Sequence, residues 1–153
     1  MTRFLTFSAE ITAFTTFDLQ GTGLAEAYLA AVKEVIGAEL LDELLGAWDR
    51  VRTEPQPARE ARLRREIFGN EKLGPIARNI IKLWYAGIWY ELPAAWTESF
   101  GAREKNVSFI VSADAYTEGL LWTAIGANPS GAKAPGYGSW AEPPQIPPVP
   151  VLP

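Results

Sequence analysis

The chain has 153 residues, of which 48% are hydrophobic, and its six Trp supply more large aromatic surface than one small core usually needs. This composition excludes a wholly disordered chain, and we expect part of the aromatic surface to face a partner. The net charge of −4 argues against a general nucleic-acid binder, because there is no excess of Lys and Arg to neutralise phosphates.

The first segments of the chain show apolar residues three and four apart, the spacing of amphipathic helices. One predicted helix covers residues 2–15, a second runs from about residue 24 to Gly37, and a third spans residues 40–51. Residues 18–23 are expected to form a break. Together these segments predict an antiparallel helical cluster.

A proline-containing interruption at residues 54–57 separates this cluster from a fourth predicted helix at residues 58–68. The pairs Glu60–Arg64 and Arg62–Glu66 are spaced for i,i+4 ion pairs. Six of the fourteen basic residues lie within residues 50–65, a cluster that we interpret as a solvated face rather than a binding site.

Residues 75–90 form the most apolar helix-length run and predict a central core helix. Pro75 suits the first turn, because its fixed φ fits a helix and its missing N–H would have no partner there. The predicted buried face comprises Ile76, Ile80, Leu83, Trp84, Gly87 and Ile88, and the clear solvent positions are Arg78, Asn79 and Lys82. Gly87 is costly inside a helix, which indicates a close packing partner. The run is too short and too charged to span a bilayer, which needs roughly 20 apolar residues.

Beyond this helix, residues 107–111 (VSFIV) are the one run with strand composition, and an extended connector is the alternative. A last helix is expected to begin at Ser112 or Ala113, with Asp114 placed for the N-terminal dipole.

Residues 126–153 contain eight Pro and four Gly, which favours polyproline II or irregular extended chain. Tyr137 and Trp140 are unusual in a purely disordered tail, so we expect the tail to lie on a surface, its own or that of another protein. The fold prediction is therefore all-α: a compact bundle of five to six helices in residues 1–125, followed by a long Pro/Gly-rich tail in residues 126–153.

The sequence offers little for catalysis. It has no His and no Cys, so it lacks the commonest general base, the thiolate nucleophile, the commonest transition-metal ligands and any disulfide. Carboxylate pairs such as Asp42/Glu43 and Asp114/Glu118 fall on predicted solvent faces, and neither GxGxxG nor a P-loop is present. We therefore predict no catalytic, cofactor-binding or metal-binding residues in this chain.

Four segments carry a resemblance to a known family. They are FLTFSAEITAF near the start, LWYAGIW at residues 83–89, DAYTEGLLW at residues 114–122 and PGYGSWAEPP in the tail. Together they resemble the small, or gamma, subunit of bacterial FAD-dependent sugar and polyol dehydrogenases. This is the family of the membrane-bound sorbitol dehydrogenase small subunit, with fructose, glucose and glucoside 3-dehydrogenase relatives. The N-terminal match is generic, and the specific part is the spacing of the aromatic segments.

The resemblance implies a non-catalytic protein. In such complexes a large subunit of the glucose-methanol-choline type holds FAD, in some cases with an iron–sulfur cluster, and abstracts the hydride. The small subunit assists its folding and export, and a cytochrome c subunit is a further expected component. The family implies a periplasmic location through a twin-arginine signal. No such signal is visible in this sequence, so a cytoplasmic location is the alternative.

The expected partner interface lies in the central run and the tail, because Trp and Tyr often dominate interface energy and proline-rich chain is already extended. Its predicted residues are Trp89, Tyr90, Pro135, Tyr137, Trp140, Pro143 and Pro144. The alternative function is a self-sufficient helical enzyme or small-ligand binder, which should have a closed pocket and behave as a soluble monomer.

Overall fold

The structure is a computed structural model that describes residues 1–101 and 103–133. Its elements in chain order are α1 (Thr2–Thr12), α2 (Thr16–Gly21), α3 (Ala25–Ile36), α4 (Ala38–Val51), α5 (Ala58–Leu63) continued by a π-helical turn (Arg64–Phe68), α6 (Leu73–Ala86), β1 (Ile88–Trp89), α7 (Ala94–Phe100), β2 (Phe109–Ile110), α8 (Ala115–Glu118) and α9 (Leu120–Ala124). The predicted all-α class is confirmed.

The core lies where α6 packs against α1 and α3, and α4 packs on the same two helices. Trp84 is almost fully buried, and its ring centroid lies 6.2 Å from that of Phe4 and 4.9 Å from that of Tyr28. Phe7 and Trp48 extend the same cluster, with ring centroids 6.0 Å apart. Burial of an aromatic or large aliphatic side chain contributes about 1.5–3 kcal/mol. The central helix is therefore the element around which the others pack, as its apolar pattern predicted.

The end of α6 differs from the prediction. The helix stops at Ala86 because Gly87 takes a left-handed conformation with φ 70°, and its N–H bonds the carbonyl of Leu83 at 2.8 Å. Residues 88–89 then form β1, which pairs antiparallel with β2 so that Ile88 faces Ile110 and Trp89 faces Phe109. The expected strand at residues 107–111 thus has a partner that the sequence did not reveal.

The bounds of other helices also differ from the prediction. The first helix ends at Thr12 rather than residue 15, and α2 occupies much of the expected break. Helix α7 lies in a segment with a weak apolar pattern, and the last helix is divided at Gly119. Residues 126–133 form turns without a helix or strand, and the rest of the predicted tail lies outside the described residues.

Candidate partner-binding surface

The predicted interface residues have different locations. Trp89 is 0% exposed, because β1 directs its ring into the core while the neighbouring Ile88 is only half-buried. Its ring therefore offers no surface to a partner in this structure. Tyr90 is 38% exposed, and the Nζ atom of Lys82 lies 5.0 Å from its ring centroid. The predicted positions Pro135, Tyr137, Trp140, Pro143 and Pro144 lie outside the described residues.

Asn79 was expected to face solvent, and this was wrong. The residue is buried, and its Nδ2 donates a hydrogen bond to the carbonyl of Tyr90 at 2.5 Å. The amide thus satisfies a backbone acceptor where the chain turns back past α6.

Two of the segments that carry the family resemblance pack closely against each other at two glycines. A Cβ atom at Gly87 would overlap the Cβ atom of Ala115, and one at Gly119 would lie 2.7 Å from the carbonyl oxygen of Tyr85. The close packing expected at Gly87 is therefore confirmed, with α8 as the neighbour. These glycines let the end of α6 and the α8–α9 pair approach backbone to backbone.

The N-terminal segment joins the same unit. The Tyr85 hydroxyl donates to the carbonyl of Thr12 at 2.9 Å, and the ring of Phe14 packs edge-on against that of Tyr85 at 5.9 Å. Residues from three of the four resembling segments therefore hold one region of the body together.

One exposed apolar surface lies beside this unit. Phe17 on α2 is 80% exposed, the highest value for a large hydrophobic side chain in the described part of the chain. It lines a cleft of about 360 Å³, together with Phe14, Leu120 and Trp122. We call this the Phe17 cleft. The ring of Tyr116 packs edge-on against that of Trp122 at 5.3 Å and is itself exposed.

Helix α2 is held firmly although it is short. Thr15 Oγ1 accepts a hydrogen bond from the Asp18 N–H, and the Asp18 carboxylate accepts one from the Thr15 N–H. The hydrogen bond from the Thr15 hydroxyl to the Asp18 carboxylate, and after it the bond from the Thr15 N–H, lower the pKa of Asp18. The pattern Thr15-x-x-Asp18 is the sequence signal that could have indicated α2, and with it the position of Phe17.

A second exposed apolar surface lies on and beside the paired strands β1 and β2. Ile110 is 68% exposed, and Val107 and Tyr90 are also exposed. The sheet contains two strands in the described residues, so this surface is a small one.

The arginine cluster is largely neutralised by acids. Arg62 binds both Glu54 and Glu66, and Arg64 binds Glu60. Hydrogen bonds from Arg62 and Arg65 lower the pKa of Glu66. Both predicted i,i+4 pairs are formed, which supports the interpretation of a solvated face.

Most carboxylates of the two pairs noted in the sequence also form ion pairs. Asp42 binds Arg3, Glu43 binds Lys72 and Glu118 binds Lys133. Within residues 1–101 and 103–133, no group of three or more acidic side chains is arranged to hold a metal ion. Over the same residues, no helix combines the length and hydropathy needed to cross a bilayer.

No protein-family model, curated protein or solved structure matches this chain. Function is therefore inferred from the sequence resemblance together with the surface of the molecule.

Proposed function

We propose that this chain is the small, non-catalytic subunit of an FAD-dependent sugar or polyol dehydrogenase complex. In this role it binds and stabilises the large catalytic subunit and assists its maturation and export. FAD, and in some complexes an iron–sulfur cluster, belong to that partner, and a cytochrome c subunit completes the proposed assembly. The complex is proposed to act in the periplasm.

The observation that carries the binding role is the exposure of large apolar side chains on a well-packed body. Phe17 and Ile110 are the two most exposed of these in the described residues. Neither contributes to the core, so each leaves apolar area in water that an interface would remove. Burying one such side chain contributes about 1.5–3 kcal/mol, and aromatic anchors are typical of protein interfaces.

The packing of the resembling segments supports the family part of the proposal. Gly87, Ala115 and Gly119 determine how closely α6 and α8–α9 approach each other. These residues therefore have a structural reason to occur together, and the resemblance covers positions on which the fold depends. The substrate specificity of the complex would reside in the large subunit.

Purification of the tagged chain from its native cells tests the proposal. The tag belongs at the N-terminus, because the tail is a predicted contact with the partner. We expect a larger protein with a flavin absorbance spectrum to be retained, and the complex to oxidise a sugar or polyol with a dye as electron acceptor. An apolar interface should survive high salt, which screens purely electrostatic association.

Two results would contradict the proposal. One is a chain that is recovered alone as a soluble monomer, with no flavoprotein and no loss of stability. The other is dye-linked sugar oxidation by this chain after every larger protein has been removed, which would make it an enzyme by itself.

A further inference from the structure

Strand β2 has an outer edge whose backbone groups are unpaired. The Val111 N–H donates to the Gly87 carbonyl at 3.1 Å, so these two residues form a hydrogen-bonded pair of the antiparallel ladder. Such pairs alternate with pairs that exchange no backbone bond, and Ile110 therefore directs its N–H and C=O groups away from Ile88. Within the described residues, these two groups and those of Ser108, two residues earlier, have no hydrogen-bond partner. We call the four groups the β2 edge.

The outer edge of β1 is closed by a helix. The carbonyl of Tyr90, at the end of β1, accepts a hydrogen bond from Asn79 Nδ2 at 2.5 Å, and α6 packs against β1. A further strand can therefore join this sheet at β2 and not at β1.

The β2 edge has none of the features by which edge strands usually avoid pairing. Such strands commonly carry Pro, Lys or another charged residue. Residues 107–111 contain no Pro and no charged residue, and Ile110 is 68% exposed and Val107 55% exposed. The free groups at Ser108 and Ile110 recur at every second residue, about 6.8 Å apart, which is the spacing offered by another strand. The ligand that fits this edge is therefore an extended polypeptide segment.

The residues of this chain beyond Lys133 match that requirement poorly. Seven of these twenty residues are Pro, which has no N–H to donate, and the longest run without Pro, residues 136–142, contains two Gly. Both residue types weaken strand pairing. The additional strand is therefore expected from another polypeptide chain.

The size of the surface favours a partner with further contacts over a second copy. The exposed large apolar side chains on and beside the sheet are those of Tyr90, Val107 and Ile110. A specific interface takes roughly 20–30 residues from each side. Two copies joined by this edge alone would share too little surface for a stable dimer. The large subunit of the proposed complex is a partner that contacts this chain elsewhere as well.

We infer that the β2 edge binds an extended segment of the large catalytic subunit, which becomes the third strand of the sheet. Main-chain hydrogen bonds provide the affinity in this binding mode, and side chains at alternate positions provide the specificity. The segment is uncharged where it passes Ile110, because Ile88 and Ile110 lie side by side on the outer face of the sheet. The inference rests on the proposed function and adds to it the place and the mode of contact.

Two substitutions at one position separate backbone pairing from side-chain contact. Ile110→Pro removes the outward N–H and keeps the bonds between Phe109 and β1, and proline is tolerated at such edge positions. Ile110→Thr is the matched control, because it keeps the N–H and the β-branched shape. Each is introduced into the N-terminally tagged full-length chain, and the flavoprotein retained per tagged chain is measured by flavin absorbance.

Ile110→Pro should reduce the retained flavoprotein at least about tenfold, since a carbonyl of the added strand loses its donor. Ile110→Thr should stay within about threefold of the unsubstituted chain, because only a cross-strand side-chain contact is weakened. Equal losses in the two variants would overturn the inference, since they would show a side-chain contact without strand pairing.

Amide hydrogen exchange of the unsubstituted chain, resolved to single residues, gives a measurement that does not depend on the folding of a variant. In the isolated chain the Ile110 N–H should exchange rapidly and the Phe109 N–H slowly, because only the latter is paired with β1. In the complex with the flavoprotein, exchange at Ile110 should slow at least about tenfold. If Ile110→Pro lowers the melting temperature of the isolated chain, this measurement alone decides.

The outcomes separate this inference from the proposed function. If the unsubstituted chain retains no flavoprotein, the proposed function fails and this inference fails with it. If it retains flavoprotein while exchange at Ile110 is unchanged, or Ile110→Pro folds and retains as much, the proposed function stands and the strand pairing is wrong.

Two other occupants give distinct results. If the Ile110 N–H is protected in the isolated full chain but not in a chain ending at Lys133, residues 134–153 of the same molecule cover the edge. If the isolated chain forms dimers that Ile110→Pro abolishes, a second copy covers it. Either result would overturn the inference.

Discussion

Trp84 is the side chain on which the core converges. Its ring packs against the rings of Phe4 and Tyr28, and the side chain is almost fully buried. Replacing it with Ala should reduce the free energy of unfolding by about 3–5 kcal/mol, because the substitution leaves a large cavity. Urea unfolding of the isolated chain measures this, with Tyr90→Ala as the control at a partly exposed ring that should lose much less. A similar loss in both variants would show that Trp84 has no special role in the core.

Tyr28 is a buried residue whose hydroxyl has no hydrogen-bond partner in the described structure. Burial raises the pKa of this hydroxyl above its ordinary value of 10.0, because the charged phenolate is disfavoured away from water. The neutral side chain therefore contributes stability below the ordinary pKa. That contribution is lost as the pH rises above it, since the unfolded chain ionises first.

Tyr28→Phe should therefore be close to neutral at pH 7, because it removes a hydroxyl with no partner and keeps the ring contact with Trp84. Above about pH 10 the variant should lose less stability than the unsubstituted chain. Melting temperatures across this range measure the difference. A large loss at neutral pH would indicate that the hydroxyl makes an essential bond.

Single residues were predicted from the sequence when they belonged to a clear apolar period. Ile76, Ile80, Leu83 and Trp84 are all buried as expected. The burial of Asn79 was not predicted. An amide can be buried when a backbone carbonyl accepts its hydrogen bond, and here that carbonyl lies eleven residues away at Tyr90. Periodicity contains no information about such a partner.

At the scale of elements, the junction of α6 and α8 depends on two separate properties of Gly87. Its φ of 70° favours glycine, and its missing side chain makes room for Ala115. Gly23 has the same φ of 70° but no atom within 4 Å of an added Cβ. It is therefore a control that isolates the conformational cost.

Gly23→Ala should cost about 1–2 kcal/mol from left-handed strain alone. Gly87→Ala should cost about 1–3 kcal/mol more, because the added methyl group overlaps Ala115. The additional Ala115→Gly substitution should recover part of that second loss. Chemical unfolding of the single and double variants measures each step. Equal losses at Gly87 and Gly23 would contradict the close contact.

The same glycine explains the main error in the predicted elements. Ile88 and Trp89 continue the apolar run, so periodicity extended the helix past Gly87. A left-handed glycine ends a helix whatever follows it, and the next residues then pack as a short strand. Similarly, Gly119 divides the last predicted helix where it approaches Tyr85. The signals were present, but their effect depends on long-range contacts that a local pattern does not contain.

At the scale of the whole molecule, the hydrophobic core cluster formed by the described residues extends no further along the chain than Leu120. A chain ending at Lys133 keeps this core and the Lys133–Glu118 ion pair. We therefore expect the shortened chain to retain its helical circular dichroism and its melting temperature.

Association should respond differently to the same truncation. Removing residues 134–153 deletes Tyr137 and Trp140, the predicted tail anchors, and should weaken retention of the flavoprotein at least about tenfold. A tail that packs on its own body would instead lower the melting temperature of the isolated chain. If the truncation changes neither property, the tail contributes to neither the fold nor the interface, and the contact with the flavoprotein must lie on the helical body.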